Sequence, residues 1–94
     1  MPGELSRSEA DRVFRALGDA TRRDILARTL VEEQSVSALA RHYDMSFAAV
    51  QKHVAVLERA GLLVKRTQGR ERVARADPAT LRRAAQLLRA LGGG

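Results

Sequence analysis

The sequence predicts a mostly α-helical domain carrying one small β-hairpin. Three observations point that way. Apolar residues recur at helical spacing in separate windows, most of them opened by a Ser or Asp and several closed by a Gly. One basic stretch, residues 62–76, breaks that spacing and reads as two short strands around a Gly-Arg turn. No internal repeat or linker divides the 94 residues, which suit a single domain, 1–94, ordered over about residues 7–91. A core of this size is marginal alone, so a partner subunit is expected to add stability.

Each element has its own local signal. Ser6 and Glu9 have the spacing of a capping box, in which each side chain meets the other's free amide. Ala10, Val13, Phe14 and Leu17 then give a first helix one apolar face. Gly18 is expected to end that helix in the left-handed conformation. Asp19 is a good N-cap for a second helix running to about Leu30, with Ile25, Leu26 and Leu30 as core residues.

Val36, Leu39, Ala40 and Tyr43 stripe a short third helix, for which Ser37 is the expected cap. Asp44 and Met45 make a tight connection. Ser46 caps a fourth helix whose inward stripe is Phe47, Val50, Val54 and Leu57, and Gly61 closes it. Two helices of roughly two and four turns joined by so few residues form a helix-turn-helix pattern. Leu62–Gln68 and Glu71–Ala76 are the two strands. Asp77-Pro78 restarts a helix, since a proline at the first helical position gives up no needed amide. Leu81, Ala84, Ala85, Leu88 and Leu91 stripe this fifth helix, and Gly92-Gly93-Gly94 is expected to fray.

The composition narrows the possible functions. With no cysteine, disulfides and thiolate metal sites are excluded. No apolar run approaches the roughly 18–20 residues that span a bilayer. The polar N-terminal stretch lacks the apolar centre of a signal peptide. A cytoplasmic protein with no membrane partner is therefore expected. His42 and His53 are the only histidines, and no carboxylate cluster accompanies them, so no metal or cofactor site is expected. Neither a phosphate-binding loop nor a nucleophile–base pair is present, which argues against an enzyme.

The net charge of +6 is unevenly placed. Residues 41–75 hold eight basic side chains (Arg41, Lys52, Arg59, Lys65, Arg66, Arg70, Arg72 and Arg75) against Asp44, Glu58 and Glu71, a net +5. The rest holds nine basic and eight acidic side chains, a net +1. The positive field thus sits on the fourth helix, the hairpin and Arg41, which is the footprint expected of a phosphate-binding segment.

A helical wheel sharpens this. With Val50 pointing inward, Val54 and Leu57 lie within about 40° of it, while Ala48, Lys52, Ala55 and Arg59 fall opposite. Gln51 and Ala49 occupy the shoulders. Alanines let the helix backbone approach bases, Gln51 can pair bidentately with adenine, and Lys52 can donate to guanine. Ser46, Ala48, Gln51 and Lys52 lie on the first turns, where recognition usually rests. Arg59, two turns on, suits a phosphate. His53, about 60° from Val50, suits the edge of the core, where it would orient the helix more than touch a base. Phe47 is expected to pack in the core or at a groove edge. Three aromatic residues in the whole chain make stacking on single strands a poor explanation.

In the hairpin, Gly69 permits the positive φ of a tight turn. Arg66, Arg70 and Arg72 around it can reach phosphates or a minor groove. A reading helix followed by a basic hairpin is the layout of a winged helix-turn-helix, which reads double-stranded DNA.

The sequence resembles the ArsR family of winged helix-turn-helix repressors. The resemblance is carried by Ala16-Leu17-Gly18-Asp19-Ala20-Thr21-Arg22-Arg23-Asp24-Ile25-Leu26 and Ser35-Val36-Ser37-Ala38-Leu39-Ala40. It continues through Met45-Ser46-Phe47-Ala48-Ala49-Val50-Gln51-Lys52-His53-Val54, Leu57-Glu58-Arg59-Ala60-Gly61-Leu62-Leu63 and Gly69-Arg70, covering about residues 10–90. It implies a repressor that binds an inverted-repeat operator as a homodimer. The first and last helices would form the dimer, through Val13, Phe14, Leu17, Leu81, Ala85, Leu88 and Leu91. It places DNA contacts on Phe47, Ala48, Gln51 and Lys52, with the wing around Gly69 and Arg70. Phe47 departs from the polar residue often found at its position.

Metal-sensing members carry Cys-Val-Cys where this chain has Ser35-Val36-Ser37. A neutral serine hydroxyl cannot replace a thiolate. The family's other metal site, built from Asp and His on the last helix, is missing as well, because that helix has no histidine. The resemblance therefore implies a member without metal sensing, answering to an unidentified small-molecule or protein effector if to any. The competing expectation is a winged helix used as a protein–protein interaction module, since a fold does not dictate function. The +5 charge on the reading segment weighs against it.

Overall fold

The computed structural model describes residues 3–93. Its elements are α1 (Arg7–Leu17), α2 (Ala20–Val31), β1 (Gln34–Ser35), α3 (Val36–Ala40), α4 (Phe47–Arg59), β2 (Leu63–Gln68), β3 (Glu71–Ala76) and α5 (Pro78–Gly92). Met1 and Pro2, at the head of the polar N-terminal stretch, and Gly94, within the segment expected to fray, lie outside the described residues. Gly92 ends α5, and Gly93 caps it in the left-handed conformation, φ +72°.

The capping box at the start of α1 is present: the Ser6 amide donates to Glu9 Oε1 (2.7 Å) and the Glu9 amide to Ser6 Oγ (3.1 Å). The far end of α1 differs from expectation. Gly18 is right-handed, φ −75°, and not left-handed. Asp19 follows it at once as the N-cap of α2, accepting from the Arg22 amide (3.0 Å). The last carbonyls of α1 are met instead by two arginines of α2. Arg22 donates to the carbonyls of Ala16 (2.7 Å) and Arg15 (3.0 Å), and Arg23 donates to that of Leu17 (2.7 Å). Cationic side chains there satisfy free carbonyls and oppose the negative end of the helix dipole.

On α2, Ile25 and Leu26 are buried as expected, but Leu30 is 47% exposed and Thr29 is buried in its place. Thr29 stands three and four residues beyond Leu26 and Ile25, on the same face. Its hydroxyl donates to their carbonyls (3.1 and 2.9 Å), which makes its burial cheap. The cap of α3 is Ser35 rather than Ser37. Pairing with β3 holds Ser35 extended, at φ −69° and ψ 155°, and its Oγ accepts from the Ala38 amide (3.0 Å). Helix α3 ends at Ala40, so Tyr43 lies in the turn beyond it.

The β structure is a three-stranded antiparallel sheet in the order β1-β3-β2, not the two-stranded hairpin alone. Strand β1 is only two residues, Gln34 opposite Ala74 and Ser35 opposite Val73, too short for an alternation to show in sequence. The hairpin itself runs in register from Leu63 opposite Ala76 to Gln68 opposite Glu71. Gly69 supplies positive φ at the first of its two loop positions.

Between reading helix and hairpin, Gly61 adopts φ +79°. Its amide donates to the Glu58 carbonyl (3.0 Å) and the Leu62 amide to the Leu57 carbonyl (2.9 Å), the paired bonds of a Schellman motif. Leu57 and Leu62, at its two ends, are fully buried. One core joins α1 (Val13, Ala16), α2 (Ile25, Leu26), α3 (Val36, Leu39), α4 (Val50, Val54, Leu57) and the sheet (Leu63, Ala74, Ala76). Phe47 is not part of it; the ring is 45% exposed. Helix α5 is tied in through buried Thr80 and Ala84, and is otherwise the helix least packed against the protomer.

Candidate nucleic-acid interface

The site is organised by α4. Ser46 Oγ accepts from the Ala49 amide (3.1 Å), so the helix begins at Phe47 and its first turn stands at the surface. Val50, Val54 and Leu57 anchor the inner face. Two side contacts fix the rotation. His53 Nδ1 lies 3.3 Å from Arg22 Nη1 and 3.8 Å from Asp19 Oδ2, on the α2 side. Glu58 pairs with Lys65 of β2 at 3.3 Å, on the hairpin side. Held in this way, α4 turns Ala48, Gln51, Lys52 and Arg59 to solvent, while Ala49 and Ala55 are half-buried.

The hairpin projects beside that face. Gly69 forms its tip, and Arg70 and Arg72 are exposed. Among the described residues neither arginine is paired with a carboxylate, in contrast to Lys65. Arg66 was expected with them but is bound elsewhere. Its guanidinium donates through Nε to Glu33 Oε2 (3.0 Å) and through Nη2 to Glu33 Oε1 and Gln68 Oε1. The two-pronged pair ties the hairpin to the segment before β1 and raises the Arg66 pKa further, so Arg66 braces the wing. A cleft of about 240 Å³ lies among the start of α3, α4 and the hairpin, lined by Val36 and Ser37, by Phe47, Gln51 and Val54, and by Lys65, Arg70, Glu71 and Arg72. Arg41 is exposed just past α3.

Other expected residues fall away from this face. His53 points toward α2, where it orients the helix. Val13, expected at a subunit contact, is fully buried in the protomer's own core. Phe14, Leu17, Leu81 and Ala85 are half-buried, and Leu88 and Leu91 are 56% and 76% exposed. Ser35 spends its hydroxyl on the α3 cap, and Ser37 is exposed at the cleft. Among the described residues no three Asp, Glu or His side chains converge as a metal site would require. No helix there is long and apolar enough to cross a membrane.

Sequence reasoning missed Arg22, the hub that caps α1 and touches His53, and Glu33, the partner of Arg66. Arg22 carried a faint signal, as a cation one turn after a Gly-Asp break. Glu33 carried none, because its partner lies 33 residues away.

A short helix and a longer one joined by a tight turn, flanked by a basic hairpin, define a winged helix-turn-helix. Residues 17–66 match the family described as a helix-turn-helix domain. A helix-turn-helix transcriptional regulator of Mycobacterium tuberculosis, Rv2034, is 41% identical over 71 residues, which cover 76% of this chain and 66% of that protein. An ArsR-like transcriptional regulator from Rhodococcus sp. RHA1 is 37% identical, with a TM-score of 0.81 over 92% of this chain and 81% of that one. The ArsR family transcriptional regulator RHA00566 superimposes with a TM-score of 0.88 at 28% identity, covering 96% of this chain and 93% of that one. The chain belongs to the ArsR family of winged helix-turn-helix transcriptional regulators.

Proposed function

We propose that this protein is a sequence-specific repressor that binds double-stranded DNA as a homodimer on an inverted-repeat operator, without a bound metal. The observation that carries the reading is the pairing of an exposed, small and polar α4 face with Arg70 and Arg72 on the adjacent hairpin, which pair with no carboxylate among the described residues. On this reading Ala48, Gln51 and Lys52 face base edges from the first turns of α4. Ser46 sets the start of the helix, and Arg41, Arg70 and Arg72 meet phosphates, with Gly69 letting the wing tip approach.

The homodimer rests on α5. Leu88 and Leu91 are exposed on a helix that its own protomer barely holds, and Phe14, Leu17, Leu81 and Ala85 are only half-buried. A second copy would cover these side chains. Regulation without metal is supported by the absence of cysteine and by the structural use of Ser35. With DNA as target, the cytoplasm is the site of action.

Duplex binding measured against salt tests the reading. Log affinity should fall linearly with log salt, and a footprint should show half-sites about 10 base pairs apart, or a multiple of that. Lys52→Ala should weaken operator binding by roughly 1–3 kcal/mol and relax preference at one base pair, whereas Arg70→Ala should weaken all duplexes alike and shallow the salt slope by about one unit. Wild-type affinity in both variants would remove the reading face.

A further inference from the structure

Phe47 is the largest exposed apolar side chain of the reading helix, and neither hydrogen bonding nor phosphate contact explains it. It is the first residue of α4, nearly half exposed, and it has no place in the core. Ala48 beside it is exposed as well, so the helix leads with an apolar tip. Burying the ring within the protomer would have been the ordinary outcome for a phenylalanine. Instead Phe47 lines the cleft together with Gln51, Arg70 and Arg72.

Only one group in the major groove rewards an apolar side chain, the 5-methyl of thymine. That methyl lies at the groove edge nearest the backbone of its own strand. A strand whose phosphates meet the exposed Arg70 and Arg72 would run across the opening of the cleft and bring its base edges toward Phe47. The spacing to Gln51 then has a consequence. Residues four apart on a helix are about 6 Å apart along its axis, and base pairs stack about 3.4 Å apart. Phe47 and Gln51 therefore address positions one or two base pairs apart.

We propose that Phe47 reads a thymine methyl in each half-site, one or two base pairs from the adenine taken by Gln51. This inference rests on the DNA-reading function above. It deepens that function by making the operator's thymine methyl, and not only its hydrogen-bonding pattern, part of what is recognised.

Deoxyuridine substitution is the test, because it deletes the methyl and leaves the hydrogen-bonding edge intact. An operator is first selected with the wild-type protein from random duplexes, and each dT is then replaced by dU in turn. One position per half-site should cost wild type about fourfold in affinity, the value of one buried methyl, and about 16-fold when both half-sites are changed. Phe47→Ala should bind the thymine operator more weakly and be indifferent to dU at that position. Phe47→Leu should recover part of the discrimination. Thermal melting of the variants separates loss of contact from loss of fold, and melting unchanged from wild type is expected because Phe47 lies outside the core.

Wild-type indifference to every dU would overturn the proposal while leaving duplex binding intact. Equal dU sensitivity in wild type and Phe47→Ala would overturn it too, since the methyl would then act through DNA shape alone. Failure to select any duplex would instead remove the DNA-reading function itself, and this inference with it.

Discussion

Tyr43 and Asp24 show how single side chains brace the turn before the reading helix. The Tyr43 hydroxyl donates to Asp24 Oδ2 at 2.6 Å, and Arg28 donates to the same oxygen at 2.8 Å. The Tyr43 pKa is pushed up to about 12, first by burial and then by that hydrogen bond. The Asp24 carboxyl is held below its ordinary value by the bonds from Tyr43 and Arg28. The Tyr43 contribution is therefore complete below the unfolded tyrosine value near 10 and is lost as pH rises toward 12. The Asp24 contribution has the opposite sense: complete above the unfolded aspartate value near 4, and lost as pH falls through the lower folded value. Tyr43→Phe should cost about 1 kcal/mol near neutral pH, tempered by the half-exposed carboxylate. Denaturant unfolding should show the gap from wild type narrowing at both pH extremes; a gap that does not change with pH would show that packing alone holds Tyr43. This pair was invisible in sequence, where Tyr43 read as the last apolar position of a helix. The helix stops at Ala40, and the ring is used from the turn.

At the scale of elements, the helix starts at Ser6, Asp19, Ser46 and Asp77 were legible because a cap is a contact between a side chain and an amide two or three residues on. Gly61 was legible as a stop because the left-handed turn it supplies is equally local. Its Schellman motif sets the angle between the reading helix and the wing, so it matters to the site as much as to stability. A Cβ at Gly61 would meet Thr80 Oγ1 at 3.7 Å, an ordinary contact, so Gly61→Ala should suffer only the left-handed strain of about 1–2 kcal/mol. A denaturant midpoint unchanged from wild type would rule that out. Gly18 misled because its environment is not local. Two arginines from the next helix reach back to the carbonyls of Arg15, Ala16 and Leu17, so the end of α1 is satisfied without a left-handed glycine. Ser37 misled likewise, as pairing with β3 had already put Ser35 in cap geometry.

The whole molecule measures 43 × 26 × 22 Å, elongated for so small a chain. Helix α5 contributes exposed leucines to a face that the protomer leaves uncovered. Leu88→Glu would place a carboxylate at a proposed subunit contact and, by two-fold symmetry, a second one on the partner. Analytical ultracentrifugation should show wild-type dimers and mutant monomers, with circular dichroism unchanged and operator affinity lost. A Leu88→Glu protein that remains dimeric would move the interface elsewhere.

The sequence by itself determined the order of the helices, the caps at Ser6, Asp19, Ser46 and Asp77, the wing and the concentration of positive charge on residues 41–75. Those features are local: apolar periodicity, capping chemistry and turn glycines act within a few residues of themselves. Only the tertiary structure decided which charges remain free. Arg66 and Arg70 stand four residues apart in one basic run, yet Glu33 claims the first and leaves the second available. His53 and Phe47 likewise flank the core face of one helix, and only the tertiary structure set His53 against Arg22 of α2 and left Phe47 exposed. Such choices depend on partners far away in sequence, which neither periodicity nor composition encodes.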